Sequence, residues 1–290
     1  MQTKNILVTG ASSGMGDAES LAKAGHRVFG AARRAIDIPG VEPIQLDLDD
    51  PASIAAAVAR IDAATDGYGL DVLVNNAGFA TAGALAELPD QALRAQFETN
   101  VFGLMTLTRA VLPAMIERRA GRIVNVSSVS GRIPAPILGA YHASKYALEA
   151  LSDALRMELA PFGVRVVLVE PGTIRTEFAS RAMSEGLRER GTNSLYTHVY
   201  EHAATLEGKF DRLAGTTAPV VRAIEIAITR KRPSARYVAP RKFALMIALV
   251  RILPTCWADA AMSRMFGLNR LGAGPVRRSR SALATRRARA

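Results

Sequence analysis

Short runs of Val, Ile and Leu alternate with longer stretches of helical periodicity along most of this chain. Asn5–Thr9, His26–Ala32, Asp71–Asn75, Arg122–Val126 and Val164–Glu170 are apolar at consecutive positions. That is the pattern of strands buried on both faces. A third apolar stretch at Pro43–Leu46 and a last one at Ala235–Ala239 bring the expected strands to about seven. Gly14–Ala24, Pro51–Thr65, Pro89–Arg119, Tyr141–Pro161, Pro219–Lys231 and Arg241–Leu253 read as helices, and Pro51, Pro89 and Pro219 suit first helical turns. The alternation predicts an α/β fold: a doubly wound, mainly parallel sheet with helices on both faces and right-handed crossovers. Residues 178–215 break the rhythm, with Gly186, Gly191, Gly208 and Gly215 as punctuation, and read as a polar, irregular segment.

Charge changes the picture only at one end. The net charge of the 290 residues is +11, which in a folded face would suggest nucleic acid. Eight Arg and no acid fall in residues 260–290, so the rest of the chain carries about +3. The basicity is expected to belong to a tail. A single domain over residues 1–267 and a basic, disordered tail over 268–290 follow, with no nucleic acid in the main function. Cys256 is the single cysteine, so no intrachain disulfide or zinc cluster is expected. His198 and His202 stand four apart with no third ligand nearby, and no metal site is expected. The first strand begins within five residues of Met1, which predicts no signal peptide and a cytoplasmic protein. The apolar run Phe243–Leu253, interrupted by Arg251, is too short to span a bilayer.

Candidate chemistry starts where the first strand ends. Gly10, Gly14 and Gly16 lie in Thr9-Gly10-Ala11-Ser12-Ser13-Gly14-Met15-Gly16, between a strand and a helix. Glycine lets the backbone approach a pyrophosphate, and a helix N-terminus offers free N–H groups and a positive dipole. The second strand ends Ala31-Ala32-Arg33-Arg34. An acid at the Ala32 position would bind the ribose 2′-OH of NAD, whereas Arg33 suits the 2′-phosphate of NADP, so NADP is favoured over NAD. Asp47, followed by Leu48, offers a carboxylate to an adenine amino group. Tyr141 and Lys145 stand at i and i+4 and share a helix face. An ammonium beside a phenol is expected to lower the phenol pKa and make Tyr141 an acid/base group near neutral pH. Ser127 and Ser128 compete as a strand-end hydroxyl. His142 is expected on another helix face, and Trp257 and Cys256 are expected in the core or a lid.

These motifs arrive in the order of the short-chain dehydrogenase/reductase family, which residues Lys4 to Thr176 closely resemble. Thr9–Gly16 resembles its glycine motif, and Asn75-Asn76-Ala77-Gly78 its element after the fourth strand. Asn100 resembles its helix Asn, Ile123–Ser128 its serine strand, Tyr141-x3-Lys145 its active-site pair, and Pro171–Thr176 the segment beside the nicotinamide carboxamide. The family offset of thirteen residues to the Tyr selects Ser128. The resemblance implies a Rossmann-type sheet and an NADP-dependent oxidoreductase, with NAD as the alternative coenzyme. It implies Tyr141 as acid/base and Lys145 holding the nicotinamide ribose. Ser128 would steady the substrate oxygen, and Asn100 a water that links Lys145 to solvent. Gly10, Ser12, Ser13, Gly14, Met15, Gly16, Arg33, Asp47, Leu48, Asn76, Ala77, Gly78, Pro171, Gly172, Thr173, Ile174 and Thr176 would join Tyr141 and Lys145 around the cofactor. Members are commonly homo-oligomers through their long helices.

The segment from about 177 to 215 falls at the family's substrate loop, and Ile133–Leu138 would form the facing wall. The apolar residues of that wall favour an apolar carbonyl compound or its primary or secondary alcohol, with Arg132 as the one charged neighbour. Val126–Leu159 resembles the hydroxysteroid and retinol dehydrogenase branch and related bacterial reductases, which implies a steroid, retinoid or lipid-like substrate. A helix at about 241–253 could cover this pocket or lie on a membrane surface. One departure stands out: eight residues, Asp17–Ala24, separate Gly16 from Gly25, about two fewer than expected. Two lost residues rotate a helix by about 200°, so the stripe of Ala18, Leu21, Ala22 and Ala24 is expected out of phase. A cofactor-binding protein with weak turnover therefore stays open, as does a membrane-surface binder using the Arg tail.

Overall fold

The computed structural model describes residues 3–12, 18–174, 182 and 194–273. Seven strands form one sheet: β1 (Asn5–Thr9), β2 (Arg27–Ala32), β3 (Val41–Gln45), β4 (Val72–Asn75), β5 (Gly121–Val126), β6 (Val164–Pro171) and β7 (Arg236–Ala239). Their order is β3-β2-β1-β4-β5-β6-β7 and every pairing is parallel, so the expected "mainly parallel" sheet is parallel throughout these strands. Helices α1 (Ala18–Lys23), α2 (Pro51–Ala64), α3 (Asp90–Phe97), α4 (Leu104–Glu117), α5 (Gly139–Leu159), α6 (Thr197–Leu213), α7 (Ala218–Thr229), α8 (Lys242–Ile252) and α9 (Thr255–Met265) surround it.

Alternating strand residues serve two cores. Leu7, Leu73, Ile123 and Val166 face α2, α4 and the end of α5. Ile6, Val8, Val72, Val124 and Val167 face α1 and α7. The order reverses at β1, so the crevice beyond the carboxyl ends of β1 and β4 is where such a sheet binds a ligand.

Four expectations need correction. The segment read as irregular contains α6, seventeen residues long, because its apolar positions are few but periodic. Val199 and Tyr200 are buried, and Tyr200 Oη accepts the Ala84 N–H at 2.9 Å, joining α6 to the loop after β4. The helix expected over Pro89–Arg119 is wound through a π segment at Glu98–Gly103 between α3 and α4. Gly103 sits there because a Cβ would lie 2.1 Å from the Leu48 carbonyl oxygen. Helix α9 follows α8 unannounced by any apolar stripe, and its Cys256 and Trp257 are exposed, not core. Packing also continues past 267: Leu268 and Leu271 pack against the cluster that holds Tyr200, so these residues belong with the domain.

The shortened first helix keeps its phase. Ala18 and Leu21 are buried and Ala22 packs beside them, while Ala24 is exposed. The chain leaves α1 through Gly25 at φ +87°, with His26 N–H bonded to Leu21 O and Gly25 N–H to Ala22 O. This is the Schellman pattern of an ordinary helix end. Residues 13–17 lie outside the described residues.

Candidate active site

The candidate residues converge at the carboxyl ends of the strands. Gly10 leaves β1 at φ +66°, and a Cβ there would meet Ala77 Cα at 2.8 Å. Two backbones therefore touch where the glycine motif meets Asn76-Ala77. Thr9 Oγ1 accepts the N–H groups of Asn76 and Ala77 at 3.0 and 2.9 Å, and Asn76 Nδ2 donates to Thr9 O and Gly10 O. Asn76 Oδ1 is buried with no partner among the described residues. A glycine cradle next to a spare buried acceptor fits a dinucleotide phosphate and its ribose hydroxyls. Asn75 is spent differently, bonded to Thr108 and Asn125 inside the core.

At the end of β2, Ala32 is buried and Arg33 exposed, with Ala11 N–H bonded to Ala31 O alongside. Asp47 is half-buried and fixed by its own turn, its N–H on Ser53 Oγ and its Oδ1 accepting from Asp49 N. Leu48 is buried beneath the π segment. Pro171 ends β6, Gly172 N–H bonds Ala239 O, and Ile174 bridges Gly215. The last contact clasps the stem of the expected substrate loop. Ser13, Gly14, Met15, Gly16 and Thr176 lie outside the described residues, as does residue 177 onward to 193 except Ala182.

Tyr141, Lys145, Ser128 and Asn100 are all buried. Tyr141 packs with Ala80 and with Ala182 of the substrate-loop region. Its phenol hydrogen-bonds Ser128, which also donates to Pro171 O at 3.4 Å. Lys145 Nζ donates to Val126 O at 2.9 Å and lies 5.8 Å from the Tyr141 ring centre. The expected pKa pattern is corrected here. Burial pushes the phenol up to about 12, against a lowering by the Ser128 bond. Burial brings Lys145 down to about 8, against the pull of Glu149. The ammonium addresses a carbonyl and lies over the Tyr141 ring, so desolvation dominates for both groups.

Asn100 sits in the π segment, a distortion that is frequent at functional sites. Its Nδ2 donates to Phe79 O at 2.9 Å and Ser144 Oγ at 3.1 Å, and its Oδ1 accepts Phe79 N–H at 3.1 Å. The side chain is thus a brace between the loop after β4 and α5. His142 is another brace: Nδ1 points at Ser130 O and Ile133 O, and two carbonyl partners require it to carry the proton.

Behind the site stands a set of charges that spacing alone does not reveal. Glu170, fully buried, meets Arg132 at 2.8 Å and Arg236 at 3.1 Å. Arg236 also meets Glu149 at 3.2 Å and Asp153 at 2.6 Å. Glu149 lies one turn after Lys145, and burial first, with Glu170 adding, pushes it up to about 7. Arg132 is thereby engaged, and does not stand free as a charged neighbour of substrate. Ile133 and Ile137 are buried in protein, which leaves Pro134, Ala135, Pro136 and Leu138 for the expected wall.

Comparison with known proteins agrees with this geometry. The profile of the short chain dehydrogenase family matches residues 4–186. A 3-ketodihydrosphingosine reductase of Bacteroides thetaiotaomicron is 36% identical over 240 residues, 81% of this chain and 87% of that one. An NADPH-dependent 3-dehydrocapnine reductase of Ornithobacterium rhinotracheale is 35% identical over 267 residues, 87% and 94% of the two chains. A Burkholderia cenocepacia short chain dehydrogenase in complex with NADP superposes with TM-score 0.68 at 25% identity, over 90% of this chain and 98% of that one.

Proposed function

The chain belongs to the short-chain dehydrogenase/reductase family and is an NAD(P)-dependent oxidoreductase, and from that premise we propose that it is an NADP-dependent reductase of an apolar, lipid-like carbonyl compound. The observation that carries the proposal is the buried Tyr141 phenol, bonded to Ser128, with Lys145 on the same helix face. A phenol with a pKa pushed up to about 12 holds its proton at neutral pH, as an acid for carbonyl reduction must.

The carboxyl ends of β1 and β4 would hold NADPH, which would supply the hydride for the carbonyl carbon. Gly10, Ser12, Ser13, Gly14, Met15 and Gly16 would take the pyrophosphate, Arg33 the 2′-phosphate, and Asp47 and Leu48 the adenine side. Asn76–Gly78 and Pro171–Ile174 would flank the ribose and nicotinamide. Tyr141 Oη gives its proton to the carbonyl oxygen, and the product is the alcohol. Ser128 Oγ holds that oxygen while charge develops on it. Lys145 would bind the ribose hydroxyls and return the proton. The side chain of Asn100 is already committed, so a linking water would be held by its main chain in the wide π turn.

The lipid-like class is supported by the apolar wall, by the contact of Ala182 with Tyr141, and by two relatives named as reductases. A panel of long-chain aliphatic, steroid and retinoid carbonyl compounds with NADPH tests it. Turnover is expected with the long-chain ketones. NADPH binding without turnover of any member would instead support the reading as a cofactor-binding protein.

A further inference from the structure

Helices α8 (Lys242–Ile252) and α9 (Thr255–Met265) leave an unusual amount of apolar side chain in solvent. Of fourteen large hydrophobic residues that are exposed among the described residues, seven lie between Leu245 and Met265. On α8, Leu245, Leu249 and Ile252 recur at i, i+4 and i+7, and are 68%, 50% and 79% exposed. The opposite face holds the helix down: Ile247 is buried, and the Phe243 ring lies against Gly172. The helix is apolar on both sides, and protein covers only one. A globular helix of that kind has its second apolar face against something else. Helix α9 buries none of its residues, carries Trp257 at 67% exposure, and is tied down at its end by Met265 O on His202 and by Phe266 on the Tyr200 cluster.

Cations accompany this surface. From Arg241 to Arg270 the sequence has five Arg or Lys and a single acid, Asp259. Arg241, Lys242, Arg251 and Arg264 are exposed. Apolar side chains with an indole, among cations, are the composition that seats a helix in the headgroup region of an anionic bilayer. A second copy of the same face would bring like charges together, which opposes self-association. At eleven residues α8 cannot span a bilayer and would lie along it.

We propose that the outer face of α8 and α9 docks the protein on membranes containing anionic phospholipid. The surface stands apart from the reaction assignment and holds for any substrate. Its consequence for the site is geometric: Phe243, on the inner face of α8, touches the segment that ends β6, so docking brings that edge of the site to the lipid surface.

Trp257 is the only Trp of the chain, so the full-length protein carries its own reporter. The probes are vesicles of phosphatidylcholine alone and of phosphatidylcholine with phosphatidylglycerol, at low and high salt. The expected result is a blue shift of Trp257 emission, and quenching by brominated acyl chains, on the mixed vesicles. Both should weaken at high salt, because headgroup attraction is screened. A Leu249→Ser, Ile252→Ser double variant should bind mixed vesicles on the order of tenfold less tightly or worse, since two side chains lose apolar burial, while its NADPH affinity stays that of the parent. Vesicle binding with unshifted Trp257 emission would assign the contact to residues outside these helices and overturn the proposal. A shift of equal size on neutral vesicles, or one that grows with protein concentration without lipid, would overturn it in favour of uncharged apolar binding or a second copy.

Discussion

Burial acts on Tyr141 and Lys145 with the same sign of cost, each being driven toward its uncharged form. Removing the phenol oxygen takes away the proton together with the bond to Ser128, and leaves the ring in place. Tyr141→Phe should therefore lower turnover by on the order of 10² or more, with the NADPH dissociation constant nearly unchanged. Retention of more than about a tenth of the parent rate would remove Tyr141 from the acid role. Glu149 is the third member of the same helix face, and its effect is on stability. Its folded pKa is raised to about 7 from the ordinary 4.5, so between these values the folded state keeps a proton that the unfolded state has lost. Stability from this group is full below the unfolded value and lost as pH rises toward 7. Glu149→Gln retains an acceptor for Arg236 and cannot ionise, so the fall in melting temperature from pH 5 to pH 8 should shrink by roughly 3 °C or more. An unchanged fall would mean that Glu149 is charged throughout. Tyr141, Lys145 and Ser128 were legible because their offsets in sequence are fixed by one helix and one strand. The Glu149–Arg236–Glu170–Arg132 set was not, since its members are up to 104 positions apart and meet only through the β5-β6-β7 pairing. The coenzyme assignment is a residue-level test as well. Ala32→Asp with Arg33→Ala should weaken NADPH and spare NADH, because a carboxylate replaces the guanidinium that would meet the 2′-phosphate. Dissociation constants for both coenzymes check it, and an unchanged ratio would move the selection elsewhere.

Elements were readable in proportion to how completely they are buried. β1, β4, β5 and β6 are continuous apolar runs because both faces are covered, and sequence placed them within a residue or two. Helix α6 escaped because its apolar positions are spread thinly among polar ones in the sequence, and α9 because it buries none. The short first helix shows the opposite error. Counting residues against the family suggested a rotated stripe, but the stripe is set by what faces the sheet, and Ala18 and Leu21 face it. The accommodation rests on the left-handed Gly25 that ends α1 and closes two backbone bonds. Nothing lies within 4 Å of a Cβ built there, so substitution meets no steric contact and costs only backbone strain. Gly25→Ala should destabilise by about 1 kcal/mol, the order expected for a left-handed L-residue, read as a lower midpoint of urea unfolding with an unchanged slope. A midpoint at the parent value would show that the exit from α1 can be rebuilt without the left-handed residue.

At the scale of the whole molecule, the catalytic end of the sheet and the C-terminal helices are joined through one close approach. A Cβ on Gly172 would lie 2.2 Å from two ring carbons of Phe243. The ring belongs to α8, which rests on β7, and Gly172 N–H is bonded to Ala239 O of β7. Helix, strand end and the segment proposed to face the nicotinamide thus share one contact that tolerates no added methyl. In Gly172→Ala either the ring swings out or the 171–174 segment moves toward the site. The sheet end is held by backbone bonds and by the Ile174–Gly215 bridge, whereas α8 is anchored by little beyond Phe243 and Ile247. The helix should yield. Amide hydrogen exchange in residues 242–252 is expected to accelerate by on the order of tenfold, as for an element with few buried contacts, while exchange in β5 and β6 stays at the parent level. NADPH affinity should fall by less than about tenfold, since the strained segment borders the cofactor and does not carry its phosphates. The reverse pattern, intact protection in α8 with a large loss of NADPH affinity, would show that the sheet end is the softer partner and that α8 is fastened more firmly than its two buried side chains imply.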